Sequence, residues 1–237
     1  MDEIKTIKPS EEPSQSAPEE IRKSDTKGIL LALGIIVGIF ALVLVGGKIY
    51  TGLTGSTVID VDDLHQENLQ GDLDEDQGYV YNGFSLVKAD GLWWTEIVKY
   101  GDTLLKIPLH FGPKDLENIT FEGSLSPSFN LQPDIYVAID PTVSDKYYGL
   151  ALSELNFNIV KGVDRRPIGA CTKEDSACEN RTIISCAQVE GRAVVELALA
   201  KETSIELSGT CIKISAQKEN LVRAVDRLLY KWYGVMP

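Results

Sequence analysis

Side chains that commonly perform catalysis are scarce in this chain of 237 residues. Histidine occurs only twice, at His65 and His110, and neither histidine lies in a recognisable catalytic motif. The sequence has no G-x-S-x-G elbow, no HExxH motif and no glycine-rich nucleotide-binding pattern. A stripe of basic residues is also missing, which argues against nucleic acid as a partner. We therefore expect a protein that binds a partner, with no cofactor and no catalytic residue.

Charged side chains are absent from residues 28–47, GILLALGIIVGIFALVLVGG, which lie between Lys27 and Lys48. A helix of this length extends about 30 Å, which matches the hydrocarbon core of a bilayer. Because a helix satisfies its own backbone hydrogen bonds in lipid, the stretch predicts a transmembrane helix. Gly34 and Gly38 form a GxxxG pattern within it, which is typical of membrane helices that dimerise and predicts contact with a second copy.

The basic residues beside this run indicate its orientation in the membrane. Arg22, Lys23 and Lys27 precede the run, whereas Lys48 is followed by no basic residue until Lys88. Short flanks that are rich in lysine and arginine stay on the cytoplasmic side. The sequence therefore predicts a single-pass cell-membrane protein with a cytoplasmic N-terminus and an extracytoplasmic C-terminal domain.

Composition divides the rest of the chain into three parts. Residues 1–27 are rich in Glu, Pro, Ser and Lys and predict a disordered cytoplasmic tail. Residues 48–77 carry one base and eight acids, so they predict an acidic extracytoplasmic linker that is extended by self-repulsion. Residues 78–237 are enough for one folded domain, and they carry 17 bases and 20 acids. Most of the net charge of −12 is thus expected next to the membrane.

The apolar pattern of residues 78–237 predicts an α+β domain with a β-meander, further strands and two packed helices. Alternation and turn sequences predict strands over 84–88, 92–99, 103–109, 134–139, 182–188, 193–200, 204–207 and 211–215. Apolar side chains at helical spacing predict one helix over 147–160, with apolar residues on two faces. A second, amphipathic helix is predicted over 219–233, where Leu221, Leu228 and Trp232 belong to one stripe.

All four cysteines of the chain lie in this predicted domain. An even number of cysteines outside the cytoplasm is typical of disulfide bonds, and four cysteines allow three pairings. We favour Cys171–Cys178, which closes a local loop, and Cys186–Cys211, which would join two adjacent strands. A zinc site is the alternative, but structural zinc usually binds cysteine pairs two to four residues apart, and the smallest number of intervening residues here is six. We therefore expect no metal.

Four polar side chains of the domain are candidate sites. Asn118-Ile-Thr and Asn180-Arg-Thr are N-glycosylation acceptor patterns. Glu154 and Asn158 lie one helical turn apart at the edge of an apolar stripe. They either line a pocket or form a hydrogen bond on the helix surface.

Two adjacent tryptophans, Trp93 and Trp94, lie in a predicted strand, so their side chains point to opposite faces. One ring is expected in the core. The other ring either covers a second packed layer or is exposed as a platform for a sugar or a peptide.

Several blocks of the domain resemble one family of proteins. These blocks are YNGFSLVKADGLWWTEI, LLKIPLHFGPKDLENI, DIYVAIDP, ACTKEDSACENRTIISC and LVRAVDRLLYKWYGVM, and they extend over most of residues 79–237. Their order is similar to that in membrane-anchored proteins of small-genome archaea from the DPANN lineages. The resemblance implies the topology described above and an archaeal cell envelope. It implies no activity, cofactor or site residue.

These observations favour a non-enzymatic envelope protein whose outer domain binds a surface partner, either a protein or a glycan. An extracytoplasmic hydrolase or transferase is the second hypothesis, with Glu154, Asn158 or His110 as its reactive group. A pilin-like filament subunit is the third, because Lys27-Gly28 before an apolar run resembles a prepilin cleavage site. A pilin needs its helix to continue beyond the run, and four glycines between positions 46 and 55 oppose this continuation.

Overall fold

The structure is a computed structural model that describes residues 30–31, 33–43, 60–99, 101 and 103–237. Its two compact units are Met1–Thr57, in which residues 30–31 and 33–43 are helical, and Val58–Pro237, called the C-terminal domain below. Within the described residues, no helix has the length and apolar character that a membrane span requires. The predicted tail, the first part of the predicted linker, the ends of the predicted span and the Lys27-Gly28 junction lie outside the described residues.

Four antiparallel strands form the first sheet in sequence order: β1 (Gly78–Tyr81), β2 (Phe84–Ala89), β3 (Leu92–Lys99) and β4 (Thr103–Leu109). The last three confirm predicted strands, whereas β1 was not predicted. Asn82-Gly83 and Asp90-Gly91 form the first two hairpin turns, with φ of 48° and 85° in one and 52° and 78° in the other. Positive φ at both central residues is what a type I′ turn requires, and such turns set the register of the strands.

The predicted acidic linker contains a helix, α1 (Val61–Gln70), that the sequence did not indicate. Asp60 caps its first turn by accepting a hydrogen bond from the backbone N–H of Asp62 at 3.0 Å. Two acidic side chains lie in this first turn, where negative charge is favourable, and Gly71 ends the helix in the left-handed region with φ of 83°. The expected extended linker therefore does not hold for residues 61–70, because their acids stabilise the start of a helix.

Two polar side chains hold α1 against the first sheet. Asn68 donates through Nδ2 to the backbone oxygen of Tyr79 at 3.1 Å and to Ser85 Oγ at 2.7 Å. His65 contacts the same hydroxyl through Nδ1 at 2.8 Å, and its ring is buried. A serine beside a histidine is also the arrangement of a nucleophile and its base. Here the Ser85 hydroxyl already accepts a hydrogen bond from Asn68, and the His65 ring is buried. These contacts therefore hold α1 on the first sheet.

The larger sheet contains the remaining strands, β5 (Phe121–Leu125), β6 (Asp134–Ile139), β7 (Arg166–Cys171), β8 (Thr182–Ile183), β9 (Val194–Leu199), β10 (Ser204–Gly209) and β11 (Cys211–Ala216). Their spatial order is β5-β10-β11-β9-β6-β7-β8. The five strands from β11 to β8 run parallel, and β5 and β10 run antiparallel to them. The sequence did not indicate β5 or β7, and the predicted strand over 182–188 is reduced to two residues.

Two helices, α2 (Lys146–Lys161) and α3 (Glu219–Trp232), confirm the two helices predicted for the domain. They contact each other and lie on one face of the larger sheet, with α2 against β7 and α3 against β10 and β11. One hydrophobic core joins Leu86 of the first sheet, Leu155 and Leu229 of the helices, and Ile212 of the larger sheet. The domain is therefore α+β, as predicted.

Both favoured disulfide bonds, Cys171–Cys178 and Cys186–Cys211, are present, and none of the four cysteines is free. The reason given for the second bond was wrong, because it does not join adjacent strands. Cys186 lies in the segment that follows β8 at the edge of the larger sheet, and Cys211 begins the interior strand β11.

The Cys186–Cys211 bond holds segment 184–193 against the larger sheet. Ile184 from this segment, Ala138 of β6 and Val194 of β9 form a small core together with Cys211. Side chains alternate between the faces of a strand, so this core lies on the face opposite α2 and α3. Segment 184–193, which this disulfide attaches, therefore covers part of the face on which a largely parallel sheet normally carries a second layer of helices.

Candidate functional site

An open crevice lies beside the C-terminal end of α3, and we name it the Trp232 crevice. Its volume is about 380 Å³, which is within the range of small-molecule sites. Residues of β5, β10, β11 and α3 line it, together with the segments that precede β6 and follow α2. Leu207, Ile212 and Leu228 contribute apolar lining.

Three aromatic residues, Phe121, Phe129 and Trp232, line the Trp232 crevice. The ring centroids of Phe129 and Trp232 are 6.4 Å apart, and the ring planes are tilted by 37°. Phe129 is buried at the end of a 3-10 helix that begins at Pro127 and is capped by Ser126. Trp232 is the last residue of α3 and is half-buried. The apolar stripe of α3 extends to the last residue of the helix, which lies at the edge of the core. Trp232 therefore packs on Phe129 and is still partly exposed to solvent.

Two cations line the same crevice, and neither forms an ion pair with any residue that the structure describes. Arg165 lies over the Phe129 ring at 4.9 Å and donates through Nη2 to the backbone oxygens of Phe129 at 2.8 Å and Asp134 at 3.2 Å. Its Nε is buried and has no acceptor among the described residues. Lys231 Nζ lies 4.9 Å from the centre of the Phe121 ring.

The electrostatics of the crevice differ from those of the whole chain. No acidic side chain of the described residues lines it, although the chain has a net charge of −12. Burial lowers the pKa of the Arg165 guanidinium, which nevertheless stays protonated because its ordinary value is so high. The nearby Asp134 carboxylate attracts Arg165 but is itself paired with Arg166. Cations without an ion-pair partner beside aromatic faces favour a ligand that carries negative charge.

The two tryptophans that the sequence singled out lie elsewhere. Trp93 belongs to the core, where its ring meets that of Tyr79 edge-on at a centroid distance of 4.9 Å. Trp94 is half-buried and donates through Nε1 to the backbone oxygen of Ala89 at 3.2 Å. Neither lines the Trp232 crevice. The sequence indicated Trp232 only as a member of the apolar stripe of the final helix. Its position in the last turn of that helix was the one signal that its ring would be partly exposed.

Glu154 and Asn158, the predicted pocket residues, are buried where α2 meets its neighbours. Both carboxylate oxygens of Glu154 lie 3.0 Å from Nδ1 of His110, the residue after β4. Asn158 donates through Nδ2 to the backbone oxygen of Glu154 at 2.8 Å and accepts through Oδ1 from the Tyr233 hydroxyl at 2.5 Å. These contacts connect α2 to the first sheet and to the end of α3.

Asp226 completes this cluster, and the sequence did not indicate it. The residue is fully buried in α3, and its Oδ2 accepts a hydrogen bond from the backbone N–H of Phe111 at 2.9 Å. Burial, followed by the adjacent Glu154 carboxyl, raises the pKa of Asp226 well above its usual value. Burial also raises the pKa of Glu154, against the opposing effect of His110. We name these two carboxyls the acid pair.

A proton shared within the acid pair would give a partner to an atom that otherwise has none. Asp226 Oδ1 is buried and receives no hydrogen bond from the described residues. If Asp226 is protonated, this oxygen becomes a donor towards the Glu154 carboxylate, and two like charges no longer meet in a dry site. The cluster reaches solvent through His110, whose side chain is 34% exposed. Because a general acid or base must reach its substrate, the covered carboxyls are better suited to holding the elements together.

A second crevice, of about 320 Å³, lies at the carboxyl ends of β6 and β7, where ligands of parallel sheets often bind. Its lining is mostly apolar, with Asn156 and Arg181 as polar members. The nearby Asp140 is paired with Lys173 at 2.9 Å and accepts from the backbone N–H of Thr142. Lys173 and then Thr142 lower the pKa of Asp140 to about 2. Arg181 forms no ion pair with any described residue, so this crevice also presents a cation, but unlike the Trp232 crevice it is lined by no aromatic side chain.

Both predicted glycosylation acceptors are exposed. Asn118 lies shortly before β5, and Asn180 follows the 3-10 helix Ser176–Cys178. Each amide is therefore open to solvent, as a modification site must be. The Trp232 crevice remains the site whose side chains are best arranged to bind a partner. Compared with known proteins, the chain matches no family model, no curated protein and no solved structure.

Proposed function

We propose that this chain is a single-pass membrane protein of an archaeal cell envelope, whose C-terminal domain lies outside the cytoplasm and binds a surface partner without catalysis. The observation that carries the proposal is the placement of Arg165 and Lys231, without ion pairs among the described residues, beside the half-buried Trp232. Opposite charge on a partner would compensate these cations, and the aromatic lining would be desolvated on contact. Binding is the function that uses all three side chains.

Three features support the anchored topology. The uncharged run over 28–47 and the basic residues before it predict a span with a cytoplasmic N-terminus. Two disulfide bonds in the C-terminal domain fit an oxidising compartment outside the cytoplasm. Gly34 and Gly38 are exposed in a helical segment, which fits a homodimer that forms through this helix.

A hydrolase or transferase has less support. Its candidates, Glu154, Asn158 and His110, contact one another or the end of α3, and they line neither of the two crevices described above. The filament hypothesis depends on Lys27 and Gly28, which lie outside the described residues, and no observation favours it.

Protease added to intact cells should remove the C-terminal domain and spare the N-terminal tail. Three basic residues before the apolar run against one directly after it give the physical reason. Immunoblots of the full chain with a tag at each end measure the result, and a cytoplasmic protein reports lysis.

Alkaline extraction should leave the chain in the membrane fraction. Protection of the C-terminal domain until lysis would mean that the orientation is reversed, and release by alkali would mean that the chain is not anchored.

Trp232→Leu should weaken saturable binding of the full chain to isolated cell envelopes by about tenfold, since aromatic contacts contribute on the order of 1 kcal/mol and 1.4 kcal/mol equals a factor of ten. The chain in nanodiscs is titrated onto envelope fragments of the source cells, and the bound fraction is measured after sedimentation.

Trp94→Leu is the matched control, because Trp94 is also half-buried but lies outside the crevice. It should bind as the parent does. Equal binding by Trp232→Leu and the parent would mean that the crevice takes no part in binding. A parent without saturable binding would contradict the proposed function as a whole.

A further inference from the structure

We propose that the Trp232 crevice recognises an acidic sugar of the cell envelope, with a pyranose ring stacked on Trp232 and a carboxylate or sulfate group bound by Arg165 and Lys231. This inference rests on the function proposed above and names the chemical class of the partner. The aromatic side chain of the crevice would bind the sugar ring, and its two cationic side chains would bind the acidic group.

Trp232 is the half-buried aromatic residue of the crevice lining that no described cation covers. Cations already lie over the other two rings, Arg165 over Phe129 and Lys231 over Phe121, each at 4.9 Å. Of the cations that the structure describes, none lies over Trp232. The C–H groups on one face of a pyranose are slightly positive, so they complement the negative face of an indole ring.

The two cations select the sign of the ligand's charge. The Nη2 hydrogen bonds of Arg165 go to neutral backbone oxygens, and its Nε has no acceptor among the described residues. The Asp134 carboxylate attracts Arg165 at longer range, but it is paired with Arg166 at 2.8 Å, so the charge of Arg165 is only partly compensated. Lys231 is exposed and makes no ion pair with any residue that the structure describes. Carboxylates and sulfates accept strong hydrogen bonds from guanidinium and ammonium groups. A neutral sugar would leave both cations without an ion-pair partner, so the acidic group provides selectivity.

An acidic peptide is the other ligand with this charge, and the sheet edge argues against it. An extended peptide normally binds by adding a strand to a free edge, and β5 is the edge strand next to the crevice. Gly123, in the middle of β5, has φ of 82°, which is outside the extended region. This residue interrupts the regular ladder that an added strand would need. A crevice of about 380 Å³ accommodates a compact ring instead.

Calorimetric titration of the full chain in nanodiscs tests the inference with matched sugars. The probes are trigalacturonate and a sulfated galactotriose, each compared with neutral galactotriose, and an oligoglutamate peptide. An acidic trisaccharide should bind at least about tenfold more tightly than galactotriose, which corresponds to 1.4 kcal/mol. This advantage should shrink as salt is added, because exposed charges are screened.

Two substitutions separate stacking from charge recognition. Trp232→Leu should weaken acidic and neutral sugars by similar factors, because stacking does not depend on the acidic group. Lys231→Gln should weaken the acidic sugars alone, by about tenfold or somewhat less, since one charge-assisted hydrogen bond is lost. Lys201→Gln, an exposed lysine outside the crevice, and Trp94→Leu are the matched controls and should leave every affinity unchanged. Lys231 is exposed, so its substitution leaves the core intact.

The outcomes distinguish this inference from the function on which it rests. Equal affinity for acidic and neutral trisaccharides would overturn the selection of an acidic group. Tighter binding of oligoglutamate than of either acidic sugar would overturn the ligand class. No binding of either acidic sugar, in a chain whose envelope binding still depends on Trp232, would overturn the inference and leave the proposed function standing. Loss of both kinds of binding would refute the two together.

Discussion

Asp226→Ala should lower the free energy of unfolding by about 3 kcal/mol, and Asp226→Asn should lower it far less. Alanine leaves the N–H of Phe111 without its acceptor and removes the buried partner of Glu154. Asparagine has the shape of a protonated aspartic acid. Its Oδ1 can accept from Phe111, and its Nδ2 can donate to the Glu154 carboxylate. The contrast therefore tests whether the acid pair shares a proton in the folded state.

The pH dependence of stability should change in the same experiment. The pKa of Asp226 is raised above the ordinary value of 3.8, so above that pH the folded chain holds more protons than the unfolded chain. Stability therefore falls as the pH rises from about 4 towards the folded pKa. Asp226→Asn removes this group, so the variant should gain stability relative to the parent over that interval. Glu154 still titrates in the variant, so part of the decline remains.

Urea unfolding at several pH values, followed by tryptophan fluorescence, measures both effects. Glu202→Gln replaces an exposed acid between β9 and β10 and is the control, with little change expected at any pH. If Asp226→Asn is as unstable as Asp226→Ala at every pH, Asp226 is ionised in the folded state and the shared proton is refuted.

Removal of the Cys186–Cys211 disulfide, by Cys186→Ala together with Cys211→Ala, should lower the free energy of unfolding by about 3 kcal/mol. The bond joins residues 25 apart in sequence, so it restricts the unfolded chain substantially. It also holds segment 184–193 over Ala138 and Val194, which the loss of the bond would expose to water. Urea unfolding of the parent and the double variant gives the difference.

The Cys171–Cys178 bond provides the internal comparison, because it joins residues only 7 apart. Its removal, by Cys171→Ala together with Cys178→Ala, should cost less, since a shorter loop restricts the unfolded chain less. A smaller loss for the Cys186–Cys211 variant than for this one would contradict the covering role of segment 184–193. Under non-reducing conditions, no cysteine of the parent should react with an alkylating reagent.

Local patterns predicted much of the secondary structure. The strands over 92–99, 103–109 and 134–139 match β3, β4 and β6, because alternating or fully apolar runs end there in turn sequences. The final helix was predicted to within one residue at its C-terminal end, because its apolar stripe has a clear helical period. These features are encoded by residues that are close together in the chain.

The sequence did not predict helices and strands that are stabilised by residues far away in the chain. α1 contains few apolar residues, and it is held in place by hydrogen bonds from Asn68 to Tyr79 and Ser85. β5 has no alternating pattern, and pairing with β10 makes it a strand. Tertiary contacts that override local propensity leave no local signal.

The sequence by itself determined the uncharged run over 28–47, the α+β class of the C-terminal domain and the favoured pairing of its four cysteines. Only the tertiary structure decided which side chains meet. Trp232 and Lys231 lie beside Arg165 and Phe129 because the end of α3 reaches the segments that precede β6 and β7. Asp226 meets Glu154 because α2 and α3 pack side by side. Charge compensation and burial depend on distances in space, and residues far apart in sequence acquire those distances only when the chain folds.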